Sequence, residues 1–370
     1  MSILIFIIIL LVLVLVHEFG HFFVAKKFGI RVDEFGFGFP PKLFGIKKGE
    51  TEYTVNLLPI GGFVKIFGEN PDEENTNGPD AKRSFVNKPA WQQALVLFAG
   101  IFANFLLGWL LFSVGFMSGL PTSLGNELAG SQLLDVNLVI TSVLIKSPAE
   151  NAGLKTGDKI VSLTHSHPYR EMHDIVNINP DSVKAFVVDH EPGEEINIGY
   201  IRGKNTQLST AKVIVGGTKQ GPIIGISMDM IGMAKLSPGN ALLAGMRLDW
   251  LMTKNTVIGL YTLIKEALQG QGNFASVTGP VGMIGIVGDA YNFGFVYLLS
   301  FAALISVNLA IINLLPFPAL DGGRLFFLLI EKLKGSRIDP KIANTLNTIG
   351  FSALILLMLI ITYHDVVKLF

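Results

Sequence analysis

The chain has 370 residues, of which 50% are hydrophobic and only 16% charged, and its mean hydropathy is positive. That is more apolar surface than one soluble core of this length needs, and it points to a membrane protein with a soluble insert. Twenty-nine basic residues balance twenty-nine acidic ones and cysteine is absent. No global charge therefore calls for a nucleic-acid partner, disulfides and thiolate metal sites are excluded, and histidine and carboxylate remain as strong ligands.

From Ile3 to Ala25 the chain is apolar apart from Gly20 and three ionisable residues, His17, Glu18 and His21. A helix of about 23 residues would be about 34 Å long, enough to cross a bilayer. No basic residue precedes the run and no small-x-small cleavage pattern follows it, so it reads as a retained first span and not as a signal peptide. Lys26, Lys27 and Arg31 close it. A loop over about 31–90, rich in glycine, proline and charge, comes next. Within it Glu52 to Gly68 reads as two short β-type runs around a Pro-Ile-Gly-Gly turn. The acidic run after Pro71 reads as solvated loop.

A second span is expected within 91–120, where Gly100, Asn104 and Gly108 form a small-polar stripe suited to close packing against another helix. From 121 to 230 the pattern changes to strand-like runs such as VNLVITSV and EINIGYIRG, the mark of a soluble domain. His165, His167 and His173 cluster there and read as solvated loop residues. The region 231–370 begins with a helix, or two, over Leu236 to Gly270, whose charges are set among Leu, Met, Ile and Trp as in interfacial helices. Thr278 to Ala290 is apolar, glycine-rich and too short to span, which predicts a membrane-dipping loop. Third and fourth spans are expected at about 293–316 and 343–363.

Orientation follows from basic residues near the span ends. Ten Lys/Arg lie between Lys26 and Lys88, and five more, Arg324, Lys332, Lys334, Arg337 and Lys341, lie between the third and fourth spans. The N-terminus has none and the tail has Lys368 alone. The positive-inside bias places both basic loops in the cytoplasm, and both termini and the soluble domain outside.

HEFGH sets His17 and His21 four residues apart, on one helix face, where both imidazoles can reach one metal ion. Glu18, beside the first ligand, is placed to take a proton from a metal-activated water. Each ionisable group at mid-span costs about 2.5–3.5 kcal/mol on insertion scales, so three together need a compensating partner such as a dication. A catalytic zinc would take a third protein ligand from another element at matching depth, and Asp321 offers one. The two histidines lie about 7 to 14 Å from Lys26 at 1.5 Å per residue. Asp321 precedes Arg324 by three residues at the inner end of the third span. Both halves of the site thus fall near the cytoplasmic edge. Pro316 and Pro318 predict unwound backbone just before Asp321, tolerated at that depth where it lines a cavity.

HEFGH, the later Asn313, Pro316, Pro318, Leu320, Asp321 and Gly322, and the soluble insert between them together resemble the bacterial site-2 protease family. The match is close to its branch of regulated intramembrane zinc metalloproteases that release anti-sigma factors. The resemblance implies a polytopic α-helical membrane protein with about four transmembrane helices, a membrane-associated β element and an inserted α+β PDZ domain. Ile145 to Leu163 looks like a PDZ signature, in which a Ser-Pro-Ala helix start leads to a Gly-Leu-x-x-Gly-Asp turn. There is room for one such domain where the best-studied members of the branch carry two.

The same resemblance implies Zn2+ held by His17, His21 and Asp321, with Glu18 as general base. It implies Asn308, Asn313, Pro316 and Pro318 as substrate-binding positions, and a β element that pairs with an unwound substrate. Partners would be single-span membrane proteins, an upstream site-1-type protease and the lipid of a bacterial inner membrane. The PDZ domain would admit substrates by size. The competing reading is a non-catalytic PDZ adaptor with a structural metal site, and a third possibility is a protease of signal-peptide remnants.

Overall fold

The computed structural model describes residues 1–70, 73–124, 133–144, 146–165, 178–203, 207–218, 221–270 and 278–368. His167, His173 and Asp72 of the acidic run lie outside them. Two compact units divide the chain, one of residues 1–113, 245–288 and 299–370, the other of residues 114–244 and 289–298.

In the first unit α1 (Ser2–Lys27) is followed by β1 (Val32–Lys48) and β2 (Thr51–Ile66). The two strands pair antiparallel, with Val32 opposite Ile66, and Phe37 opposite both Gly62 and Val55. Val55 also faces Phe44, so each strand doubles back on itself. The result is a four-run sheet in which residues 32–37 lie between 62–66 and 52–55. The expected pair of runs around Pro-Ile-Gly-Gly is present, but the sheet begins twenty residues earlier than the sequence indicated. Glycines hid the first strand: a Cβ on Gly36 would sit 2.3 Å from the Phe63 ring, so only glycine fits there.

A short helix α2 (Glu73–Asn77) precedes α3 (Ala90–Ser118), the second long apolar helix. The second unit follows with β3 (Leu120–Ser123), β4 (Leu133–Val143), α4 (Pro148–Asn151), β5 (Lys159–His165), α5 (Pro180–Val188), β6 (Glu195–Ile201), β7 (Ser209–Ile214), β8 (Gly216–Thr218), β9 (Gly221–Ile223) and β10 (Ile226–Ala234). Six strands form one sheet in the order β3-β10-β4-β5-β6-β7. Its core gathers Leu138, Ile140, Ile160, Leu163, Ile196 and Ile198 under Val183 and Phe186 of α5.

Ser147 caps α4 by accepting from the Glu150 N–H at 3.2 Å, with Pro148 in the first turn, as N-cap chemistry requires. The Gly-Asp turn is held from inside. Buried Asp158 accepts from Lys155 N at 2.8 Å and takes two bonds from Arg202, Nε at 2.6 Å and Nη2 at 2.7 Å. His165 stands beside His190, Nδ1 to Nε2 2.9 Å, at the edge of this core.

The remaining helices are α6 (Pro238–Leu268), α7 (Pro280–Phe293), α8 (Phe295–Leu314), α9 (Asp321–Lys334) and α10 (Pro340–Lys368). Among the described residues four helices are long and apolar enough to cross a membrane: Ser2–Lys27, Ala90–Ser118, Phe295–Leu314 and Pro340–Val367. One continuous helix, α6, occupies the stretch where one or two were expected. Its Gly245 lies against Ser113 of α3, where a Cβ would come within 2.2 Å of Oγ.

The predicted membrane-dipping loop at 278–290 is instead α7. Its cap comes from far away: the Asp365 carboxylate of α10 accepts from Gly279 N at 3.2 Å and Gly282 N at 2.8 Å. A first-turn proline with an anionic cap starts a helix despite the glycines that follow.

Asp249 of α6 has an unpartnered, buried Oδ1, set against Gly108 of α3 and close to Val307 of α8. Burial raises its carboxyl to about 6. A folded value above the unfolded one contributes stability that is full below about 4 and lost as pH rises through about 6. Asp249→Asn is therefore expected to stabilise the protein at pH 8 by about 1 kcal/mol, after discounting for partial exposure, and to be neutral near pH 4.5. Thermal unfolding at the two pH values measures this, and an equal difference at both would contradict it.

Candidate metal centre

His17 and His21 project from the same face of α1 and are 7% and 5% exposed. They can approach α3 because both helices are thinned at the crossing. A Cβ on Gly20 would lie 2.4 Å from Ala99 O, and one on Gly100 would lie 2.2 Å from His21 Nε2. Small residues at a helix crossing in a membrane bring backbones together in this way. His21 Nδ1 donates to Val96 O at 2.8 Å, which leaves Nε2 with its lone pair free, the arrangement a metal-ligating histidine needs.

Asp321 arrives from the other half of the unit. α8 stops at Leu314, and residues 315–320 run outside a helix through Pro316 and Pro318. The turn is anchored by Asn347 of α10, whose Oδ1 accepts from Ala319 N at 3.1 Å. α9 then begins at Asp321 itself, and Gly322 and Gly323 lie against the turn; a Cβ on either would fall 2.3 Å from Leu314 O or 2.2 Å from Phe317 O. Unwinding and the glycine pair together turn the carboxylate back towards α1.

Three ligand atoms converge. Asp321 Oδ2 lies 3.0 Å from His17 Nε2 and 3.3 Å from His21 Nε2, and the two Nε2 atoms are 3.1 Å apart. Ligands about 2.0–2.1 Å from a tetrahedral zinc stand about 3.3 Å from one another, so this triangle is close to one face of such a site. Asp321 Oδ2 is buried with no hydrogen-bond partner of good geometry, an acceptor without a donor that a cation would satisfy. It is the one such cluster of His, Asp and Glu among the described residues. Three protein ligands leave a fourth position for water or substrate.

Glu18 is outside the triangle. Its carboxylate accepts a backbone hydrogen bond from Val64 of β2, and a Cβ on Gly62 would be 3.8 Å from its Cγ, so the β element holds the glutamate from the side.

The substrate-binding candidates separate. Asn313 reaches the cluster, with Nδ2 3.5 Å from His17 Nε2. Asn308 faces α6, its Oδ1 accepting from Thr256 Oγ1 at 2.8 Å. Pro316 and Pro318 lie in the non-helical turn. Sequence reasoning placed Asn104 in a packing stripe but missed its contact: fully buried, it sets Nδ2 3.2 Å from His17 Nδ1. The Val96 carbonyl was missed as well, since no side chain signals it.

Four long apolar helices among the described residues and a buried His-His-Asp triangle that could hold a metal ion are the features of a multi-pass membrane metalloenzyme. The chain belongs to peptidase family M50, whose description matches residues 5–357, and with it to the zinc metalloproteases; this agrees with the site-2 protease resemblance of its motifs. A Clostridium acetobutylicum protein provisionally named a zinc metalloprotease is 32% identical over 96% of this chain and 94% of its own length. The zinc metalloprotease RasP of Shouchella clausii is 30% identical, over 100% of this chain and 99% of its own. The regulator of sigma-W protease RasP of Bacillus subtilis is 29% identical, over 99% and 98%. Among solved structures, the PDZ domain of the SdrC-like protein from Listeria monocytogenes matches 26% of this chain and 92% of its own at 19% identity, with a TM-score of 0.20.

Proposed function

We propose that the protein is an intramembrane endopeptidase that cleaves single-span membrane proteins, with His17, His21 and Asp321 as zinc ligands and Glu18 as general base. The observation that carries this reading is the triangle of ligand atoms with edges of 3.0, 3.1 and 3.3 Å, built inside apolar helices with a carboxylate beside it. Zinc bound there would polarise the scissile carbonyl and lower the pKa of water towards neutrality. Glu18 takes a proton from the attacking water and delivers it to the leaving amine. Asn313, within reach of His17 Nε2, holds the substrate backbone, and the Pro316 to Leu320 turn keeps the chain beside Asp321 free of helix. Asn308 serves the same region by tying α8 to α6.

Helical peptide bonds are shielded and already hydrogen-bonded, so a substrate must unwind before it is cut. A strand partner favours that step. Residues 62–66 form an outer run of the β element and carry the Val64 bond to Glu18, which supports pairing of the unwound substrate beside the base. The positive-inside bias puts both basic loops in the cytoplasm of a bacterial inner membrane, the second unit and both termini outside, and the active site near the cytoplasmic side. We read the second unit as a single PDZ domain that admits substrates already trimmed by an upstream site-1-type protease. Anti-sigma factors are the favoured substrates, given a relative named for sigma-W regulation, and signal-peptide remnants the other class with the same chemistry.

Membrane proteomes of wild-type and Glu18→Gln cells test the substrate class. Truncated single-span proteins are expected to accumulate only in the variant. Indistinguishable proteomes would contradict the proposal.

A further inference from the structure

Asn104 is 0% exposed in the middle of α3, at a depth where an apolar residue of its size would be cheaper to bury. Its backbone is fixed: Ser306 Oγ of α8 donates to Asn104 O at 2.8 Å. Its side chain faces His17, Nδ2 standing 3.2 Å from Nδ1, while its own Oδ1 is buried with no partner. The two ends of an amide have nearly the same shape, and a half-turn about the last torsion exchanges them. A neutral imidazole that gives its Nε2 lone pair to a metal carries its proton on Nδ1 and needs an acceptor there. The half-turn brings the orphaned oxygen to that proton.

We propose that Asn104 is the positioning residue for His17: its amide oxygen accepts the Nδ1–H, selects the tautomer with Nε2 free and aims that nitrogen at the metal. The two histidines are then held alike by α3, His21 through the Val96 carbonyl and His17 through the Asn104 side chain, two turns further along the helix. Asn104 does not touch substrate or water in this role. The inference rests on the zinc-site reading.

The test measures zinc affinity of full-length protein in detergent by competition with a chelator, together with the absorption bands of Co2+ substituted for zinc. Asn104→Leu keeps the branched heavy-atom outline and removes the acceptor; Asn104→Asp keeps the acceptor. The expected result is a loss of affinity of about 10- to 100-fold in the leucine variant with altered cobalt bands, and in the aspartate variant wild-type bands with an affinity clearly closer to wild type than to the leucine variant. Leucine and wild type binding zinc equally, or leucine and aspartate weakened equally, would overturn the role. Failure of the wild type to bind zinc would instead overturn the site reading beneath it. A measurement independent of variants is the 15N spectrum of His17 in the zinc-loaded wild type. A protonated Nδ1 is expected, and an unprotonated one overturns the proposal even if the leucine variant does not fold.

Discussion

Glu18→Gln is expected to lower cleavage of a single-span substrate by about 10^2–10^4-fold while the protein keeps its zinc. Glutamine has the shape of glutamate, and its carbonyl oxygen can still accept the hydrogen bond from Val64, so the β element stays seated against α1. What it lacks is the ability to take a proton from water. The metal content should not change, because Glu18 is not among the atoms of the ligand triangle. Metal analysis and a cleavage assay on the same preparation read both halves. Undiminished cleavage would remove Glu18 from the mechanism, and lost zinc would make it a ligand.

Two substitutions should empty the metal site by opposite routes. His21→Ala removes a ligand; Gly100→Ala fills the ligand's space. A methyl group on Gly100 would sit 2.2 Å from His21 Nε2 and 2.5 Å from Cε1, far inside contact distance. The imidazole cannot swing away without breaking its 2.8 Å bond to Val96 O. Nor can the helices part cheaply, since Gly20 rests on the backbone of Ala99 and Gly100. Both variants are expected to purify with little or no zinc and to lose activity with it, whereas Leu106→Ala, at an exposed position of α3, should retain both. Full zinc occupancy in Gly100→Ala would show that the site is not packed as described.

The grouping of His17, His21 and Asp321 was legible because its signals are written locally. His17, Glu18 and His21 lie within one and a half turns of a helix, and Asp321 follows a proline pair that stops the preceding span. Rise per residue and the flanking lysines and arginines were enough to set both at one depth. What surrounds the centre was not legible, because it depends on pairs remote in the chain. Asn104 and His17 are 87 residues apart, and helical spacing shows that Gly100, Asn104 and Gly108 share a face without showing what lies opposite. The cap that turns the glycine-rich run at 280–293 into a helix comes from Asp365, 83 and 86 residues beyond the amides it binds. In the β element, alternation was visible where side chains alternate, at 52–68, and invisible in the Phe-Gly-Phe-Gly run of β1, where the Phe63 ring fills the space at Gly36 and the Leu58 carbonyl crowds Gly38. The partner of Asn308 was likewise out of reach of the sequence: the family resemblance made it a substrate candidate, and the structure adds a hydrogen bond from Thr256, 52 residues away.

In the proposed mechanism, zinc held by His17, His21 and Asp321 drives peptide-bond hydrolysis within the membrane-spanning unit. The measurement that tests it most directly is cleavage of a purified single-span substrate by the purified full-length protein in lipid vesicles, before chelation, after chelation and after zinc is returned. Cleavage is predicted to stop when the metal is stripped, to resume when zinc is restored to the wild type, and not to resume in His21→Ala. Cleavage that persists in stripped protein would rule out a zinc mechanism.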